Sequence, residues 1–158
     1  MKIKGKAISS EKLSELRKKV AKLKEKEIIP TMAIILMGNN EASNIYVRQK
    51  SIKARDIGAE VKVFPVKETT MNEELEKLVR KLDKNPSVHG IILQRPAPPN
   101  IKVDELTDLV SPEKEVDGFG SHPKYPVPVA AAVVAMLKNV HNQIKTNQNF
   151  SDWLKSKK

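Results

Sequence analysis

Tyr46 and Lys50 stand four residues apart in the stretch GNNEASNIYVRQKSIKARDIG, residues 38–58. If that stretch is helical, phenol and amine project from one face, one turn apart. Such a pair could orient a ring and move a proton, provided burial or a neighbouring cation tunes the amine. Taken alone, the spacing favours a plainer reading, a half-buried tyrosine packed under a solvated lysine. Two more polar residues fall where chemistry could gather. Gln94 directly follows the apolar run VHGIIL, and Asp117 precedes Gly118. An amide can hold an amine by hydrogen bonding. An ionised carboxylate is acceptor-only and suits adjacent N–H groups on a planar heterocycle. A loop cap and a plain turn are the competing readings of these two positions.

The elements around them predict how the four could meet. Leu13, Leu16, Val20 and Leu23 recur at helical spacing between Ser9 and Glu27, with Ser9 or Ser10 as cap. Residues 31–37, TMAIILM, form a continuous apolar run of strand length, as a parallel strand covered on both faces requires. Asn39, Asn40 and Ser43 are candidate N-caps of the next helix, and Gly58 is its stop. Residues 59–66 read as a second strand ending near Pro65, and Asn72 caps a second amphipathic helix. Residues 88–93 read as a third strand, 103–110 as a short helix and 129–141 as an Ala- and Val-rich helix. Strands alternating with helices predict an α/β three-layer sandwich, a mostly parallel open sheet covered by helices. Ligand sites in such sheets lie at the C-terminal ends of strands. That is where Gln94 and the following RPAPP are expected. Residues 1–141 are read as one domain and 142–158 as a polar tail.

Composition narrows the function. The chain has 158 residues and a formal net charge of +10, which raises nucleic acid as a partner. Yet much of the excess is Lys mixed with Glu along helices, and the aromatic residues are too scattered to form a base-stacking platform. There is no cysteine, so thiolate metal sites and disulfides are excluded. His89 reads as packing within a strand, His122 as a loop residue able to approach Asp117, and His141 as a solvated helix end. Together they make no spaced metal cluster. No membrane span, secretory leader or G-x-G-x-x-G loop is evident, and a cytoplasmic setting is expected.

The ordered segments GNNEAS–YVRQK, VHGIILQRPAPP and SPEKEVDGF resemble the catalytic domain of the bifunctional methylenetetrahydrofolate dehydrogenase/methenyltetrahydrofolate cyclohydrolase family. The likeness covers about residues 1–120. It implies that Lys50 transfers the proton when water opens a methenyl bridge, that Tyr46 stacks against or orients the folate and that Gln94 holds and tunes Lys50. It implies further that Asp117 binds the pterin ring, while Ser43, Pro96, Pro98 and Pro99 line the cleft. Arg48, Lys53 or Arg95 could attract a polyglutamate tail. Arg95 and Ala97 replace the two leucines of the family's Q-L-P-L-P pattern. The family's NADP site belongs to a Rossmann domain marked by G-R-S-x-x-V-G, which has no match here, so no cofactor is expected on this chain alone. The stretch YPVPVAAAVVAMLKNV aligns either with the helix leading toward that domain or with the helix returning from it. A homodimer remains open. The rival readings are a non-catalytic folate- or partner-binding module and, through charge alone, a nucleic-acid binder.

Overall fold

The computed structural model describes Ile3, residues 5–144 and residues 146–157. Three parallel strands form the sheet: β1 (Thr31–Met37), β2 (Glu60–Val66) and β3 (Gly90–Gln94), in the order β2-β1-β3. The helices are α1 (Gly5–Lys24), α2 (Glu41–Ile57), α3 (Asn72–Lys84), α4 (Val103–Thr107), α5 (Pro128–Gln143) and α6 (Phe150–Lys155).

Alternation along the central strand separates the two cores. Ala33, Ile35 and Met37 point to one face, where Leu75, Val79 and Leu82 of α3 and Leu106 of α4 cover them. Ile34 and Leu36 point to the other, where Val47 of α2 covers them. Both faces being buried, β1 can be apolar throughout, which explains the unbroken run. Burying each of Ile34 and Ile35 stabilises the fold by about 1.5–3 kcal/mol.

The connection from β1 leads to one neighbour, β2, while β3 pairs on its other side. This order opens a crevice at the C-terminal ends of β1 and β3, the switch point of a doubly wound sheet. Residues 38–43 follow β1 and residues 95–99 follow β3, so the singled-out loops emerge there together.

Several boundaries differ from expectation. The first helix starts at Gly5, not near Ser9, and only Val20 among its apolar stripe is buried, since α2 already occupies that face of the narrow sheet. β2 continues through Pro65, which an edge strand tolerates. Asn72 is not the cap of α3. Met71 holds that position, and the Asn72 side chain bonds the loop at Asn100 and Lys102. His89 precedes β3 and is exposed, its Nδ1 accepting the Thr31 N–H at 3.2 Å, so it ties strand starts together and is not core.

The C-terminal stretch holds the helix α6. Trp153 is buried against His141, whose ring also meets Phe150 edge-on and whose Nε2 lies 2.8 Å from the Gln148 carbonyl. His141 thus pins this segment and is no solvated cap. α5 buries no residue despite its apolar sequence, and Val129 and Val133 lie exposed. No described helix is long and apolar enough to cross a membrane.

Candidate active site at the β1/β3 switch point

The site begins with a helix start. Asn40 caps α2 through its Oδ1, which accepts the Ser43 N–H at 3.0 Å, and Gly58 ends the helix in the left-handed region. This sets the helical phase. Ser43 and Val47 turn inward, and Lys50, one turn on, reaches the end of β3. Lys50 donates from Nζ to Gln94 Oε1 at 3.1 Å. The amide of Gln94 is 7% exposed and donates from Nε2 to the Arg95 carbonyl at 2.7 Å. That orientation is the one chemistry demands, because the ammonium needs an acceptor and the carbonyl needs a donor. Ser43 Oγ donates to the same carbonyl at 3.3 Å. One polar network therefore joins α2, the end of β3 and the following loop.

Tyr46 behaves opposite to the plain reading of its spacing. The tyrosine is 63% exposed, while Lys50 is the partly buried member of the pair. The ring stands clear of the surface one turn before the tethered amine. It is therefore available to a ligand's face.

Asp117 is brought in by the segment that precedes it. Glu115 makes a parallel bridge with Ile91, and the Ile91 N–H donates to the Lys114 carbonyl at 2.7 Å, so the chain runs beside β3. The Glu115 carboxylate is 3% exposed and accepts the N–H groups of Asp117 at 2.8 Å and Gly118 at 2.9 Å. Gly118 adopts φ +72°, and a Cβ there would meet the backbone of residues 125–127 at 2.7–2.9 Å. The turn is held from both sides. A carboxylate two residues before Asp-Gly was the available signal for Glu115, a side chain poised to bond the turn's own N–H groups.

Burial pushes the Asp117 carboxyl above its ordinary range, and the neighbouring Glu115 adds to this. The cations Lys50 and Arg95 oppose it. A carboxyl with a raised folded-state pKa favours the folded chain while protonated, and that contribution is lost as pH rises through the folded pKa. Asp117→Asn is therefore expected to be more stable than the wild type at neutral pH. The difference should vanish as pH falls below the ordinary 3.8. Urea unfolding of both proteins across this range checks the sign. A variant less stable at pH 7 would contradict it.

The remaining expectations separate. Pro96, Pro98 and Pro99 line a groove of about 180 Å³ with Met37, Asn40 and Glu68, beside the Lys50 network but not around it. Lys53 pairs with Asp56 at 3.4 Å and Arg95 with Asp104 at 2.7 Å, so two of the three residues offered for an anionic tail already have carboxylate partners. His122 lines a different cavity of about 410 Å³ with Asp108, Glu115 and Ser121. No group of metal-ligating side chains occurs among the described residues.

Comparison with known proteins places these residues in context. Residues 3–117 match the family model described as tetrahydrofolate dehydrogenase/cyclohydrolase, catalytic domain. The chain is 40% identical over 119 residues to the bifunctional protein FolD of Halalkalibacterium halodurans, covering 75% of this chain and 42% of that protein. It is likewise 40% identical over 121 residues to FolD 2 of Geobacter metallireducens, covering 77% and 42%. Among solved structures, the FolD enzyme of Campylobacter jejuni superposes with a TM-score of 0.84 at 31% identity, covering 88% of this chain and 53% of that one. The Trypanosoma brucei enzyme, solved with NADP cofactor and an inhibitor, gives 0.83 at 26%, covering 89% and 52%. The chain thus spans less than half the length of the curated relatives it matches here.

Proposed function

The chain belongs to the tetrahydrofolate dehydrogenase/cyclohydrolase family, through its catalytic domain, and on that premise we propose that it binds a reduced folate and hydrolyses a methenyl bridge. The observation that supports this most is the Lys50–Gln94 contact of 3.1 Å at the C-terminal end of β3. It tethers an amine at the switch-point crevice, on the side to which the buried Glu115 delivers Asp117.

In the proposed reaction the pterin rests against the Tyr46 ring, with its N–H groups on the Asp117 carboxylate. Water adds to the methenyl carbon, forming a C–O bond and discharging the cationic bridge. Lys50, as the amine, accepts the proton that the added water loses and delivers it to the ring nitrogen N5. The C–N5 bond then breaks as the new hydroxyl loses its proton to solvent, leaving the formyl group on N10. The sum is methenyl cation plus water giving formyl product plus one proton. Gln94 Oε1 aims the amine throughout, while Gln94 Nε2 and Ser43 Oγ both donate to the Arg95 carbonyl.

NADP chemistry does not fit the residues described. The turn after β1 contains one glycine, Gly38, and the Glu68 side chain already fills the space beside it, 2.6 Å from where a Cβ would stand. A carboxylate there opposes a pyrophosphate. No hydride step is assigned to this chain.

The test is direct. Wild-type protein is expected to bleach the absorbance of methenyltetrahydrofolate faster than buffer. Tight folate binding without bleaching would instead identify a binding module. Absence of both would sink the proposal.

A further inference from the structure

Arg95 occupies the junction of the candidate site yet has no part in the proton transfer itself. Its carbonyl accepts from both Gln94 Nε2 and Ser43 Oγ. Its side chain then leaves in the other direction. Nη2 donates to Asp104 Oδ1 of α4 at 2.7 Å, and the guanidinium carbon lies 4.9 Å from the centroid of the Phe119 ring. Arg95 also lines a small void with Asp117, Phe119, Glu115 and Thr107. Asp104 is 83% exposed and Phe119 about half exposed, so neither contact adds much stability on its own. What the two contacts share is the end of β3, which one joins to α4 and the other to the turn that carries Asp117.

We propose that Arg95 is a positioning residue: its guanidinium braces α4 and the Asp117–Phe119 turn against the end of β3, and so fixes the Asp117 carboxylate relative to Lys50. The proposal rests on the folate reading for its purpose but not for its geometry. Glu115 holds the turn through backbone N–H groups from below. Arg95 holds it through the ring two residues after Asp117. Without the brace the turn keeps its hydrogen bonds but loses a lateral stop. The charged groups facing Asp117 are Lys50 from α2, Arg95 from the end of β3 and Glu115 from its own segment. Replacing Arg95 removes one of the two cations and leaves the other groups in place.

The experiment compares wild type, Arg95→Leu, Arg95→Lys and Asp104→Asn. Two readouts need no ligand. Amide hydrogen exchange of residues 116–121 is expected to quicken roughly 10-fold in Arg95→Leu, with segments other than this turn and α4 unchanged. The Asp117 carboxyl, followed by carbon NMR, is expected to titrate at higher pH in Arg95→Leu and close to wild type in Arg95→Lys. Arg95→Lys should restore the titration but only part of the exchange protection, because an ammonium lacks the planar stack. Asp104→Asn should quicken exchange less than Arg95→Leu. If the folate reading holds, Arg95→Leu raises KM roughly 10-fold or more with kcat nearly kept, since the Lys50–Gln94 contact survives. Unchanged exchange at 116–121, exchange quickened uniformly along the chain, or an unmoved Asp117 titration in Arg95→Leu would each overturn the brace. A wild type that binds no folate sinks the proposed function and leaves the exchange and titration results to decide the brace.

Discussion

Lys50→Met is expected to lower methenyltetrahydrofolate hydrolysis by roughly 10²- to 10⁴-fold while the chain stays folded. Methionine keeps most of the lysine stem, so the packing beside α2 changes little. It removes the group that, in the proposed reaction, accepts a proton from water and delivers it to a ring nitrogen. The cost to stability comes from Gln94, whose Oε1 loses its donor in a nearly buried place. An unsatisfied buried acceptor costs about 1–3 kcal/mol. Loss of the ammonium also removes a cation that opposes the raised pKa of Asp117, so folate binding should weaken further at acid pH. Stopped-time absorbance assays with urea unfolding separate the two effects. Hydrolysis surviving at wild-type rate would remove Lys50 from the mechanism.

Glu115→Ala should have the largest effect on stability among the site variants. The carboxylate is buried and accepts the N–H groups of both Asp117 and Gly118. Deleting it strands two donors at about 1–3 kcal/mol each, so a loss of roughly 2–6 kcal/mol is expected. In a chain of this size each kcal/mol lowers Tm by roughly 2–4 °C. Glu115→Gln keeps one carbonyl oxygen and should lose less than half as much. Folate affinity should fall in parallel, because the turn that offers Asp117 is no longer held. Thermal unfolding of the two variants, ranked against wild type, tests this. An Ala variant as stable as wild type would show that the turn is held by Gly118 packing instead.

Much of the fold was legible in the sequence because period and punctuation carry it. The unbroken run TMAIILM announced a strand covered on both faces, and β1 is that strand. Asn39, Asn40 and Ser43 marked the start of α2, of which Asn40 is the cap, and Gly58 announced its end. Helix starts were less legible. Asn72 looked like a cap, but its side chain bonds a loop about thirty residues away, a partner no local pattern reveals. The apolar stripe of α1 promised a buried face that the narrow sheet does not supply. His89 and His141 were misjudged for the same reason: each answers to a distant partner, Thr31 and Gln148 respectively.

Residue identity and order determined the family, the parallel sheet and the loops that converge on one crevice, because those follow from local periodicity and from which strand ends carry polar residues. Tertiary structure alone decided which side chains touch. It tucked Lys50 against Gln94 and left Tyr46 outside, reversing the reading their spacing favours. It also gave Glu115 the turn and Arg95 the ring of Phe119. The physical reason is that a hydrogen bond or a ring contact depends on distances of a few ångströms between segments far apart in the chain. Those distances are set by the packing of whole layers and not by any residue's neighbours in sequence.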